Sequence, residues 1–423
     1  MLKDGRAFVL TILLVVAAIS CAPQQGDASR SRTEEPRRIA LRAARMLDVA
    51  QGKIVENAVI LVEGEKIKLA GANLSVPDDY ETINLGDATL LPGLIDAHTH
   101  ITYHFDETGH FSGRGDSDAS STFRYSAENA RRTLEAGFTT IRNLGAGDLV
   151  DLKLRDSINR GEFLGPRMLV SGLPLVPGEL SRITDHAARL RAVRDFVRQR
   201  VREGVDVIKV FEGIDETGRP YFSEEEIRAA VEEAGAAGLR VAVHAHEAAA
   251  IKAAVNGGCA SIEHGTFIDD EAISLMVRRH TALVPTLYLP THYLAHRAQF
   301  DFDDETWDFF EQLRTRNIES ARRARRAGVR IANGSDAVAG LHGSNARELE
   351  WLVKAGLSPT EAIRAATLDA AQLLGIEQQV GEIKSGRFAD LIAVSGDPTR
   401  DIKVLQNPRF VMKGGRVIKD LSR

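Results

Sequence analysis

The chain has 423 residues, with 54 Lys and Arg against 59 Asp and Glu for a formal charge of -5, and 43% of its residues are hydrophobic. That length accommodates one large domain beside a smaller one, and the apolar fraction is ordinary for a globular protein with a sizeable core. A charge this mild and evenly spread argues against a nucleic-acid partner.

Lys3 and Arg6 precede an apolar run from Phe8 to Ile19 and the small residues before Cys21, the layout of a secretory signal over residues 1–20. Ala18-Ile19-Ser20-Cys21 resembles the lipobox of bacterial lipoproteins, with Ala18 where Leu is favoured. The resemblance implies lipidation of Cys21; a plain secretory signal with a coincidental cysteine is the alternative. The polar stretch from Gln24 to Glu35 then reads as a tether within residues 21–37. Ala22 stands where sorting signals of inner-membrane lipoproteins carry Asp. The expectation is an outer-membrane lipoprotein facing the periplasm, touching the membrane only through its anchor, against a soluble secreted or periplasmic protein. Only two cysteines exist. With Cys21 so used, Cys259 has no intrachain partner and reads as a small buried residue rather than a nucleophile.

From Arg38 the pattern turns β. IALRAARMLD and AVILVEGEKIKLAG alternate around Glu63-Gly64-Glu65 as a hairpin loop, and the far end repeats this in DLIAVSGD and RFVMKGGRVIKD around Gly414-Gly415. Residues 38–89 and 379–423 are therefore expected to form one small composite β-sandwich domain. Between them, over residues 90–378, strand-like runs alternate with helical ones. The strands are LIDAHTH, FTTIRNLG, RMLVSG, VDVIKVF, RVAVHAH, ASIEHGT, ALVPTL and VRIANGSDA. The helices include SEEEIRAAVEEAGAAG, where Ser223 and Glu226 form a capping box. Eight such units in series predict an α/β fold of the (β/α)8 TIM-barrel class.

In such a barrel the chemistry sits at the C-terminal ends of the strands. His98 and His100 alternate with Thr99, so period-two geometry puts both imidazoles on one face of the first strand. The fourth strand brings Lys209 inside VDVIKVF, where an unpaired ammonium is costly to bury. The fifth brings His244 and His246, the sixth His264 and the eighth Asp336. Taken singly, each has a plain reading as a hydrogen-bonded structural residue, and Lys209 can snorkel to solvent. Together they are nitrogen donors with one hard oxygen donor, a ligand set for a borderline divalent metal.

Through PGLIDAHTH, IKV, VAVHAH, SIEHG, GSDA and GEIKSGRFADLIAVSGDP the chain resembles the amidohydrolase superfamily from Arg38 to Lys419. Within it the resemblance is to the metal-dependent dipeptidases of the Xaa-Pro and Xaa-Arg/Lys type, often called imidazolonepropionase-like. The resemblance implies two divalent metal ions, zinc foremost. His98, His100 and Asp336 would hold the more buried ion, His244 and His264 the more exposed one, and Lys209, carboxylated by CO2, would bridge both. Asp336 would act as general base and then general acid. On the residues alone His244 and His246 are alternatives; the resemblance selects His244 and leaves His246 as a substrate or supporting contact.

The implied activity is hydrolysis of an amide bond in a small-molecule substrate, a dipeptide or an N-acyl amino acid. Two departures put the substrate in question: SGLPLVPGELSRITDHAARL stands where relatives carry Gly-Gly-His, and Arg142-Asn143 replaces Arg-Asp. Candidate substrate contacts are Tyr103, His104, Arg182, His186, Tyr221, Tyr288 and His342, with Arg182 suited to a substrate carboxylate. Two alternatives stand beside this reading. One is a mononuclear deaminase or cyclic-amide hydrolase in which Glu247, three residues after His244, moves protons; Lys209 argues against it. The other is an inactive binding protein on the same fold. Helix composition marks no clear interface, and a homo-oligomer stays open.

Overall fold

The computed structural model describes residues 36–113 and 118–421. The expected signal, Cys21 and the tether up to residue 35 lie outside the described residues. No helix among the described residues is long and apolar enough to cross a membrane.

The N-terminal segment gives β1 (Arg38–Asp48), β2 (Lys53–Glu63), β3 (Lys66–Ala72), β4 (Glu81–Asn84) and β5 (Ala88–Pro92). These are followed by β6 (Leu94–Thr99), β7 (His104–Phe105), β8 (Phe111–Ser112), β9 (Phe138–Asn143) and β10 (Arg167–Val170). Then come β11 (Val207–Phe211), β12 (Arg240–Glu247), β13 (Ser261–Phe267), β14 (Ala282–Val284), β15 (Leu391–Ser395), β16 (Phe410–Lys413) and β17 (Arg416–Asp420). One eight-stranded sheet unites both ends of the chain in the order β17, β16, β15, β5, β1, β2, β3, with β4 parallel to β1. Its hairpins turn where glycine permits: Glu63 pairs with Lys66 and Lys413 with Arg416 across two-residue turns. Gly414 and Gly415 both adopt positive φ, as such turns require. Alternation along β1 and β2 buries both faces. Ile39, Leu41, Ile60 and Val62 pack with Leu90 and Phe410, while Ala40, Val59 and Leu61 pack against Leu74 and Tyr80.

The central strands are parallel and form two sheets, β10-β9-β6 and β11-β12-β13-β14. The chain between strands is helical: α1 (Ala119–Glu135), α2 (Val150–Asn159), α3 (His186–Glu203), α4 (Glu224–Ala236), α5 (Ala248–Gly257) and α6 (Asp270–Arg279). After β14 come α7 (Leu289–Ala295), α8 (Asp304–Arg326), α9 (Arg347–Lys354), α10 (Pro359–Ala365) and α11 (Leu368–Leu374). The Ser223–Glu226 capping box starts α4, and a second one, Ser358–Glu361, starts α10. Val193 and Val197 of α3, Ile227 of α4 and Ile251 of α5 pack on Val210, Val243 and Ile262 of the strands in the largest apolar cluster.

Seven of the eight expected central strands are present. The eighth, VRIANGSDA, is not a regular strand. It is held at both flanks, by the Leu283–Ile331 bridge to β14 and the Ala337–Thr99 bridge to β6. Asp336 donates its N–H to the His98 carbonyl at 2.8 Å, and His100 donates to the Ala337 carbonyl at 3.0 Å. Regular pairing fails because Asp336 takes a positive φ of 52° and because the backbone passes against β6 at Gly334. A Cβ at Gly334 would meet Val284 Cγ1 at 2.3 Å and His98 Cβ at 2.8 Å. Gly334→Ala is therefore expected to destabilise the fold by about 1–3 kcal/mol, read as an earlier urea unfolding midpoint.

Candidate metal centre

The C-terminal ends of β6, β12 and β13 and the 329–337 segment deliver two groups of potential ligands. His98, His100 and Asp336 form one, and His244, His246 and His264 the other; within each group the ligand atoms lie within 4.8 Å of one another. In the first, Asp336 Oδ1 stands 3.2 Å from His100 Nε2 and 3.5 Å from His98 Nε2. In the second, the His264 ring centroid lies 4.5 Å from that of His244 and 4.8 Å from that of His246. The groups adjoin: the His98 and His264 rings are 5.2 Å apart, and Asp336 Oδ2 is 4.0 Å from His264 Nδ1.

Each well-anchored imidazole engages the protein through Nδ1. His98 Nδ1 pairs with Glu263 at 2.8 Å, His264 Nδ1 with Thr286 Oγ1 at 2.7 Å, and His246 Nδ1 with Thr266 Oγ1 at 2.6 Å. Such bonds orient a ring and leave Nε2 for an ion. Thr266 in turn donates to Asn317 Oδ1 of α8 at 2.6 Å. His244 instead stacks its ring on Phe211, centroids 3.8 Å apart. Three non-glycine residues here hold positive φ, His264 at 73°, Thr286 at 49° and Asp336 at 52°. Strain of this kind collects where function dictates side-chain direction.

Lys209 of β11 lines the same cavity. It is buried, and its Nζ has no hydrogen-bond partner among the described residues; His98 Nε2 and His100 Nδ1 share that condition. Burial pushes the Lys209 amine down to about 8, against the pull of Glu263 and Asp336. Burial likewise pushes His98 and His246 down to about 4 and His244 and His264 well below the ordinary imidazole range. Burial alone would raise Asp336, but His98 and His100 hold it well below the usual carboxylate range. Neutral imidazoles and an ionised carboxylate are the protonation states that ligate a divalent ion. This donor set with its orphaned buried nitrogens therefore fits such ions.

Several supporting residues escape a reading of sequence. Glu263 bridges His98 to Arg142, whose guanidinium donates to it at 2.8 Å and to the Ala97 carbonyl at 2.6 Å. Arg142 holds Glu263 down at about 2 although burial opposes it. Asp96 accepts from the Ser335 N–H at 2.9 Å and from Asn345 Nδ2 at 2.8 Å, which clamps the residue next to Asp336. Asp96 was findable, because it shares the period-two face of His98 and His100.

The substrate candidates divide. The cavity, about 480 Å³, is lined by Tyr103, His100, Lys209, His244, His246, His264 and Asp336 among others. His104 and His342 are buried against backbone instead: His104 Nδ1 bonds the Thr102 carbonyl and stacks on Tyr125, and His342 Nε2 bonds the carbonyl of His100. Arg182, His186, Tyr221, Tyr288 and Glu247 are not among the lining residues. Arg182 is exposed, His186 pairs with Glu225 at 2.7 Å on the surface, and Tyr221 covers Gly213. Tyr288 precedes α7 beside Trp351, and Glu247 stands at the N-cap of α5. Cys259 is buried, and burial raises its thiol far above the ordinary range. What the loops took away, the chain after β14 supplies: Phe302, Phe309 and Phe310 line the cavity although the sequence had marked none of them.

Removing the Glu263 carboxylate leaves the Arg142 guanidinium buried without its counter-charge. Glu263→Ala is expected to cost about 3–5 kcal/mol, measured by equilibrium denaturation of the metal-free protein.

The family model described as "Amidohydrolase family" matches residues 89–418. Ochratoxinase of Aspergillus niger is 30% identical over 421 residues, which cover 89% of this chain and 86% of that protein. Imidazolonepropionase of Micrococcus luteus is 24% identical, covering 81% of this chain and 88% of that one. The crystal structure of a Xaa-Pro dipeptidase with bound methionine in its active site superposes with a TM-score of 0.79 at 31% identity, covering 90% of this chain and 99% of that one. The chain belongs to the amidohydrolase family and is a hydrolase of amide bonds.

Proposed function

We propose that this chain is a binuclear metal-dependent hydrolase that cleaves an amide bond in a substrate of dipeptide or N-acyl amino acid size. The observation that carries the reading is the convergence of the two ligand groups around Asp336, with the orphaned Lys209 Nζ in the same cavity. His98, His100 and Asp336 would hold one ion and His244 and His264 the other, with His246 beside them. Lys209 would bridge them as a carbamate. Its neutral amine forms an N–C bond to CO2 and loses a proton, which turns a costly buried ammonium into an anionic oxygen ligand. When bound, the two ions, with zinc the expected metal, supply a water acidified to near neutral pH and polarise the scissile carbonyl.

The remaining steps belong to the chain's own residues. Asp336, held deprotonated by the imidazoles around it, accepts a proton from the attacking water and delivers it to the leaving amine. Glu263 and Thr286 keep His98 and His264 in register while charge moves. We read residues 90–378 as a closed (β/α)8 barrel, supported by the bridges that flank the 329–337 segment and by the Leu175–Val210 bridge between the chain after β10 and β11. Residues 38–89 and 379–423 are read as a β-sandwich beside it. On the same footing we propose export by the N-terminal signal and anchoring through lipidated Cys21, which would place the site in the periplasm.

Metal analysis of the purified protein should find two divalent ions per chain, with one lost in His244→Ala and both kept in His246→Ala. Lys209→Ala and Asp336→Asn should each lower kcat/KM on a cleaved amide by about 100-fold or more. Glu247→Gln should change it less than about threefold, because the half-buried Glu247 does not line the cavity. Full activity of Lys209→Ala, or fewer than two ions in the active protein, would sink the binuclear reading.

A further inference from the structure

The cavity combines its ligand groups with a wall that the hydrolytic chemistry does not need. After β14 the chain runs through α7 and into α8, and it turns Tyr293, Phe302, Phe309 and Phe310 toward the cavity. These rings brace one another: Tyr293 stacks on Phe310 with centroids 4.6 Å apart, and Phe302 packs on Phe310 at 5.5 Å and on the buried Trp307 at 5.4 Å. Phe309 reaches His246, edge to face at 5.4 Å. At the other end of the β11–β14 sheet Phe211, 43% exposed, also lines the cavity. The ligand groups of β12 and β13 thus lie between an aromatic wall and a second apolar contact.

Charge points the same way. Among the described residues lining the cavity, Lys209 is the one lysine and no arginine is present. Arg182, the residue best suited by sequence to a substrate carboxylate, is exposed and does not line it. The turn into α8 that carries the wall also bears Asp301, Asp303, Asp304, Glu305 and Asp308, all exposed, with Arg297 paired to Asp304. Among the described residues lining the cavity, none offers a substrate carboxylate the bidentate partner that a guanidinium would.

We propose that this wall selects the substrate: an amide carrying an aromatic or large apolar group that seats against Phe309 and Phe310, with a free terminal carboxylate playing no part in recognition. The inference rests on the hydrolase reading and narrows it from dipeptides and N-acyl amino acids in general to those bearing such a group. A pocket of about 480 Å³ in which an aromatic wall stands beside the convergent polar groups suits a ligand of this kind. Seating one buried aromatic group improves binding by about tenfold or more.

Two measurements on the full chain test it. The first compares kcat/KM of the metal-loaded enzyme on N-acetylphenylalanine amide, N-acetylphenylalanine, N-acetylglycine amide and glycylglycine. The phenylalanine amides should exceed the glycine ones by about tenfold or more, and amidating the carboxylate should not lower the rate. Phe309→Ala and Phe310→Ala, checked for folding by circular dichroism, should each shrink the phenylalanine-to-glycine ratio, with Phe309→Leu and Phe310→Leu retaining most of it. Rates that follow the free carboxylate, or a ratio unchanged in both alanine variants, would overturn the proposal while leaving amide hydrolysis intact. The second measurement is calorimetric binding of N-acetylphenylalanine amide and N-acetylglycine amide to metal-free protein, so that loss of catalysis does not decide the matter. If no amide is hydrolysed, the hydrolase reading fails, yet tighter binding of the phenylalanine ligand still supports the wall. Equal binding of the two overturns it.

Discussion

Lys209 Nζ and His98 Nε2 are buried with no hydrogen-bond partner among the described residues, at a cost of about 1–3 kcal/mol for each such group. A fold retains a deficit of this size where something else meets it, and the geometry around it is built to hold the deficit in place. Asp336 is forced into left-handed backbone so that its carboxylate faces three imidazoles. Asp96 pins the preceding Ser335, and Gly334 lets that backbone pass against β6. Below them the Arg142–Glu263 pair is fully buried and spends one carboxylate oxygen on His98. A buried ion pair of this kind contributes little net stability against an apolar substitute. Its value here is directional, because it decides which nitrogen of His98 faces the ligand group.

How much of this was legible in the sequence depends on whether a residue obeys a period. The two glycine hairpins, the Ser223 capping box and the seven regular central strands were legible, since each is a local pattern in consecutive residues. The gathering of His98, His100, His244, His246, His264 and Asp336 into two candidate groups was legible because strand ends could be counted in order. The eighth strand was not, because its chemistry breaks the regularity that defines a strand: Gly334 and the positive φ of Asp336 replace the ladder with bonds to β6. Glu263 was hidden for a related reason. Adjacent residues of a strand face opposite ways, so Glu263 and His264 could not both be expected at one site. The 73° φ of His264 turns the chain there and lets both serve. Asn345 clamps Asp96 across 249 positions, and no local pattern announces such a pair.

The loop residues failed for another reason. Arg182, His186 and Tyr221 were chosen by their chemistry and their place after a strand, but a loop's direction is set by what it can satisfy at the surface. His186 is drawn to Glu225, and Arg189 nearby ties the loop to Glu226 of α4. The aromatic residues of α7 and α8 had the opposite fate, since rings spaced along a helix read as ordinary core.

Helix α8 joins the two halves of the site. Its first turns carry Phe309 and Phe310, and two turns further on Asn317 accepts from Thr266, the hydroxyl that orients His246. Ser320, one turn beyond, donates to the Thr266 carbonyl. The wall and the imidazole anchor therefore ride on one rigid element, and a shift of α8 that changed the shape of the pocket would also move the anchor of His246. Helix geometry limits how such a site can adapt. Exchanging one ring for another on α8 leaves the anchor where it is, whereas lengthening or tilting the helix disturbs selection and the ligand group together. If the wall selects the substrate as proposed, its range is free to change by side-chain exchange at Phe309 and Phe310, while the helix backbone that carries them is held through Asn317 and Ser320.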